Sequence, residues 1–176
     1  LVGSEMCIRD SPSLEYLQEL ETMTAKYRIK QYQHLVESDA AAMATCEKEN
    51  DNIESQIKDA TAKLGEIINS NKKAQQGKAD YEKATSAWEE YLSTSDEVYK
   101  LSRDNKQAEA AKIMIGSAYE SYMSFVKQLN TLHDDFQVEL DNAKTLANIC
   151  TIIIFIVIYY RQTVRIIIVI AVISDY

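Results

Sequence analysis

Helix breakers are scarce in this chain, with four Gly and one Pro in 176 residues. Sheet-rich folds draw their turns from such residues, so β architectures lack punctuation here, while the good helix formers Ala, Glu, Lys, Gln and Leu are plentiful. Cysteine is equally sparse. Cys7, Cys46 and Cys150 are odd in number and lie in three different contexts, so no disulfide framework follows and the compartment stays open. His34 and His133 are the only histidines, and neither has the Glu three residues earlier that a di-iron bundle site requires. No metal, no cofactor and no catalysed reaction are expected, and Asp134-Asp135 beside His133 reads as the solvated face of a helix. Positive charge is also in deficit. The net charge of −8 sits in residues 12–148, where 24 acidic side chains face 16 basic ones, a surface that repels a phosphate backbone and makes nucleic acid an unsuitable partner.

With 46% hydrophobic and 26% charged residues the chain suits one compact domain, flanked by two segments that do not fit it. Residues 1–11, LVGSEMCIRDS, show neither helical periodicity nor the pattern of a signal peptide. The run Glu5 to Ser11 resembles the translated end of a sequencing-library transposon, and residues 1–11 are expected to be artefactual or disordered and to pack against nothing. In residues 149–176, two apolar runs, Ile149–Tyr160 and Val164–Ile173, are divided by Arg161, Gln162, Thr163 and then Arg165. A membrane helix needs about 20 apolar residues, and an Arg at its centre costs about 2.5–3.5 kcal/mol. The expectation is a transmembrane helix that begins near Val164, keeps both arginines at the interface and is truncated. CTIIIFIVIYY before it reads either as a frame error or as an apolar segment that dips into the membrane.

Between these segments the heptads give four helices. Met43, Cys46, Asn50, Ile53, Ile57, Ala60, Leu64 and Ile67 follow an unbroken 3,4 alternation, which keeps one stripe facing its neighbours. Ser38-Asp39 before it suits an N-cap, and Glu54–Lys58 and Asp59–Lys63 are i,i+4 pairs in the favourable order, so this helix is expected over about 39–69. An earlier stripe, Tyr16, Leu20, Met23, Tyr27 and His34, is widened by Leu14, Leu17 and Leu35 and entered through Ser11-Pro12-Ser13. A third carries Ala74, Tyr81, Ala84, Trp88, Tyr91, Ser95 and Val98 up to the polar turn 102–106. The fourth carries Ala111, Ile115, Ala118, Tyr122, Phe125, Leu129, Leu132 and Phe136. Ile53, Ile57, Leu64, Trp88, Phe125 and Leu129 are the expected core.

Short polar connections near 38, 70 and 104 favour antiparallel neighbours, hence an all-α, up-down-up-down four-helix bundle leading into the C-terminal transmembrane helix. At about 1.5 Å per residue the fourth helix spans roughly 60 Å and the first roughly 40 Å, so the first is expected to be truncated and to continue toward the membrane in the intact protein. Trp88, Tyr91 and Tyr122 read as core packing or as an aromatic pocket between helices. Asn50 reads as a polar residue that fixes register.

PSLEYLQEL at Pro12–Leu20, YRIKQYQH at Tyr27–His34, WEEY at Trp88–Tyr91, SDEV at Ser95–Val98, and Ile115-Gly116 leading to Tyr122 occur in an order and spacing that resemble the four-helix-bundle ligand-binding domain of bacterial methyl-accepting chemotaxis proteins. The resemblance covers about residues 12–148. It implies a homodimeric sensor of the bacterial inner membrane, its bundle in the periplasm or outside the cell, detecting a small ligand or a periplasmic binding protein and transmitting a helix shift. It also implies that an arginine in the distal first helix can hold a ligand carboxylate, a task that suits the guanidinium fork. Arg28 is the matching residue, against the plainer reading of a solvated surface arginine. In antiparallel register its level meets the fourth helix near Ser117 and Ser121, which complete the candidate ligand site. The alternatives are the sensor of a histidine kinase or cyclic-nucleotide enzyme, and a structural coiled-coil protein.

Overall fold

The structure, a computed structural model, describes residues 12–71 and 74–174. It contains α1 (Pro12–Val36), α2 (Ala40–Ser70), a 3₁₀ turn (Ala74–Gly77), α3 (Lys78–Arg103), α4 (Gln107–Ile115) and α5 (Ser117–Ser174), with no strand among the described residues. The chain is an all-α four-helix bundle in which α4 and the first part of α5 share the place of the fourth helix. Packing divides it into two units, one ending at Gln137 and one taking α5 from Val138 onward. Residues 1–11, expected to pack against nothing, lie outside the described residues.

Local chemistry places each break. Asp39 caps α2 by accepting the Ala42 N–H at 3.0 Å, satisfying one of the free donors of the first turn. After α3, Asn105 adopts φ 59°, the left-handed region that Asn tolerates, and the Lys106 N–H reaches back to the Leu101 carbonyl at 2.8 Å. A further break, absent from the heptad reading, falls at Gly116. Its N–H is shared between the Lys112 and Ile113 carbonyls at 3.0 and 3.2 Å, and a Cβ there would stand 2.9 Å from the Lys112 oxygen. Only glycine fits that turn without displacing backbone.

Contacts across the core give the topology. His34 meets Glu47, and Asn50 meets the Tyr27 carbonyl, so α1 and α2 are antiparallel. Gln31 meets Ser95 and His34 meets Ser102, so α1 and α3 run the same way. Arg28 meets Met114. Of the expected core, Ile57, Leu64, Trp88, Phe125 and Leu129 are buried, whereas Ile53 packs at the edge.

Three stripes differ in detail from their heptad reading. In α1 the buried line is Leu17, Leu20, Thr24, Tyr27, Gln31 and His34, with Tyr16 and Met23 at its margin. Ile68 replaces Ile67 at the end of α2. In α4, Ala110 and Met114 are buried while Ile115 is 68% exposed. Where two apolar residues adjoin, periodicity alone does not choose between them, and the break at Gly116 rotates α4 by one position relative to α5.

In the second unit, α5 continues through residues 149–163 without interruption. The side chains from Ile149 to Tyr160 are exposed. Among the described residues this is the one helix long and apolar enough to cross a membrane, by length and composition.

Candidate functional site

Thr24, Tyr27, Arg28, Gln31 and His34 occupy the inner face of α1, where an unremarkable bundle would carry hydrocarbon. Each needs a partner, because a buried polar group without one costs about 1–3 kcal/mol. Gln31 donates to Ser95 Oγ at 2.8 Å and accepts the Tyr91 hydroxyl. Asn50 Nδ2 donates to the Tyr27 carbonyl at 3.1 Å and bonds the Tyr99 hydroxyl. His34, fully buried, meets Ser102 Oγ through Nδ1 and Glu47 through Nε2, both at 2.9 Å, and Glu47 also accepts from Arg103 at 2.6 Å. These bonds tie α1, α2 and α3 at fixed levels, the role read for Asn50. Burial pushes the Tyr27, Tyr91 and Tyr99 phenols above their ordinary range, so all three are neutral.

Arg28 Nη1 and Asn50 Oδ1 are the buried side-chain polar atoms without a partner among the described residues, and only Arg28 is charged. It is a buried side chain, 9% exposed, not a surface arginine. Nη2 donates to the Tyr32 hydroxyl at 3.0 Å and to the Met114 carbonyl at 2.9 Å; Nη1 is buried with no partner. Both oxygens are neutral, and no ion pair to Arg28 is found among the described residues. Four rings surround the guanidinium carbon instead, Tyr122 at 5.0 Å, Tyr32 at 5.2 Å, Tyr119 at 5.4 Å and Tyr91 at 5.8 Å. At these distances the ring faces attract the cation and replace part of its lost hydration. Burial raises the Tyr122 phenol, against which Arg28 and a hydrogen bond with Thr24 act. Met114 lies in the last turn of α4, where helix carbonyls lack intrahelical donors, so the break at Gly116 supplies the oxygen that Arg28 takes.

Arg28 therefore sits at the level of residues 114–122. Ser117 is exposed; Ser121 is buried, and its hydroxyl donates to the Ser117 carbonyl at 3.2 Å. The hydrogen bonds of Arg28 go to Tyr32 and Met114, with the tyrosines around it. Trp88 and Tyr91 stack at 5.1 Å, Trp88 meets Phe125 at 5.4 Å and Tyr91 meets Tyr122 at 5.8 Å, so Tyr91 and Tyr122 serve both the core and the cage. Tyr32 and Tyr119 were not singled out by periodicity. Their outward heptad positions hide them, although the i,i+4 spacing from Arg28 to Tyr32 was a usable signal. His133 is exposed and 3.9 Å from Asp134, and no group of three potential metal ligands occurs among the described residues.

One family model, described as a four helix bundle sensory module for signal transduction, matches residues 5–148. The chain belongs to this family, the sensory bundle of methyl-accepting chemotaxis proteins. No curated protein and no solved structure matches the chain.

Proposed function

Since the chain belongs to a sensory rather than an enzyme family, we propose that the bundle detects a small carboxylate directly, with Arg28 as its anchor, in a homodimer outside the cytoplasm of a bacterial inner membrane. The observation that carries this reading is the unpartnered Nη1 inside a ring of neutral groups. A buried cation without a counter-charge is costly, and an anion that reaches it gains charge-assisted, bidentate hydrogen bonds. Tyr32 and Tyr119, 38% and 47% exposed, flank the guanidinium on the solvent side and form the route to it. Ser117 and Ser121 stand on the same stretch of α5 and would take a second polar group of the ligand.

Dimerisation is supported by exposed apolar side chains on α1, α4 and α5. Ile29 and Val36 on α1, with Ile115 and Met123 on α4 and α5, are exposed around the Arg28 cage. Such a patch on both copies makes an isologous contact. A periplasmic binding protein covering the same patch is the second reading. The apolar part of α5 provides the membrane attachment. Signalling follows from the Arg28–Met114 contact: an anion competing for the guanidinium alters what holds the end of α4, and packed helices respond by switching between discrete arrangements.

The test is calorimetric titration of the full chain in detergent with amino acids and small organic acids. Binding of one or more carboxylates is expected, at least tenfold weaker in Arg28→Lys, since an ammonium lacks the fork geometry. Equal binding by Arg28→Lys, or no carboxylate bound, overturns the direct reading and favours the partner protein.

A further inference from the structure

A cleft of about 370 Å³ opens between α2 and α3, and its lining shares no residue with the tyrosine cage of Arg28. It exists because small side chains face each other there, Thr61 and Ala62 on α2 against Ala84 and Thr85 on α3. Leu20, Leu64, Phe125 and Leu129 close its floor, and the sole tryptophan, Trp88, lines it. Tyr81, also lining it, is pinned by its hydroxyl, which donates to the Thr61 carbonyl at 3.0 Å. The volume falls at the lower end of small-molecule sites, which are apolar with a few placed polar groups.

Its charged groups set the sign of what it takes. Glu54 and Glu89 line the cleft against a single ammonium, Lys58. Burial, reinforced by Asp51 and Asp96, pushes the Glu54 carboxyl above the ordinary range, with Lys58 opposing. A ligand ammonium at Glu54 would relieve that cost, and an anion would be repelled.

We propose that this cleft is a second ligand site, for a protonated arylalkylamine, with the aromatic body among Trp88, Tyr81 and Leu129 and the ammonium on Glu54. The site does not rest on the carboxylate reading of Arg28, and separate substitutions distinguish the two.

Trp88 makes binding visible. The full chain in detergent is titrated with 2-phenylethylamine, its neutral analogue 2-phenylethanol and the anionic 3-phenylpropionate, following tryptophan emission, with a thermal melt of each variant to establish folding. A saturable change with the amine is expected, at least tenfold weaker with 2-phenylethanol and undetectable with 3-phenylpropionate. Glu54→Gln should weaken the amine at least tenfold. Ala62→Phe, an exposed position on the cleft wall, should abolish the change by filling the space. Arg28→Lys should leave it intact. No saturable change, equal affinity for amine and alcohol, or a signal that survives Ala62→Phe overturns the proposal, the last by assigning it to partition into detergent. Loss in Arg28→Lys alone moves the amine to the tyrosine cage and overturns it as well.

Discussion

At the level of Leu17, Leu64 and Leu132 the interior of the bundle is hydrocarbon; at the level of Gln31, Asn50 and Ser95 it is a ladder of hydrogen bonds. The two ends bury side chains equally well but hold them differently. Apolar packing is non-directional and tolerates small slides, whereas each bond in the ladder has one partner and one level. Among the described residues the buried side-chain polar atoms without partners, Arg28 Nη1 and Asn50 Oδ1, both lie in the ladder. Stability is thus concentrated at one end, and register and the capacity to respond at the other.

The largest effect should come from hollowing the apolar end. Leu129→Ala and Ile57→Ala each remove a buried side chain from the core and should cost about 2–5 kcal/mol, enough to exhaust a marginal bundle. Thermal melts that match wild type would erase the distinction between the ends.

In the ladder, removing one partner should cost less, and removing both should cost less still. Gln31→Leu strips the acceptor from the buried Tyr91 hydroxyl and the donor from Ser95, for about 1–3 kcal/mol. Adding Tyr91→Phe should recover part of it, because no hydroxyl is then stranded. A double variant that is simply the sum of its singles would show that the ladder is not coupled.

The apolar end was the more legible of the two in the sequence. In α2, Met43 to Leu64 alternate with polar neighbours, so periodicity had one solution. It failed where apolar residues adjoin, at Ile67-Ile68 and Met114-Ile115, since the choice there depends on neighbouring helices and on the Gly116 break. The ladder was half visible: the α1 stripe stepped from Tyr27 to His34 with no apolar residue at the inward position between them, where Gln31 stands. Arg28 was read as a ligand anchor by resemblance, but its burial was hidden, because arginines rarely go inside and the rings that enclose it come from three separate helices. The cleft depends on small residues meeting across α2 and α3, a relation that no single helix displays.

The smallest effect concerns Glu54, on the boundary between the ends. Its folded-state pKa is raised, so the stability linked to its protonation is complete below the unfolded value, about 4.3, and is lost as pH rises through the folded value. Glu54→Gln should therefore melt slightly above wild type at pH 7 and at the same temperature near pH 4. The reverse order would mean that Lys58 outweighs burial.

Native-state hydrogen exchange of the full chain in detergent tests the division most directly. Amides of residues 57–68 and 125–136 should exchange only through global unfolding. Those of 24–34 and 91–102 should also exchange through a cheaper opening, in which the ladder parts while the apolar end holds. Equal protection in both sets, or earlier opening of the apolar end, would contradict the account.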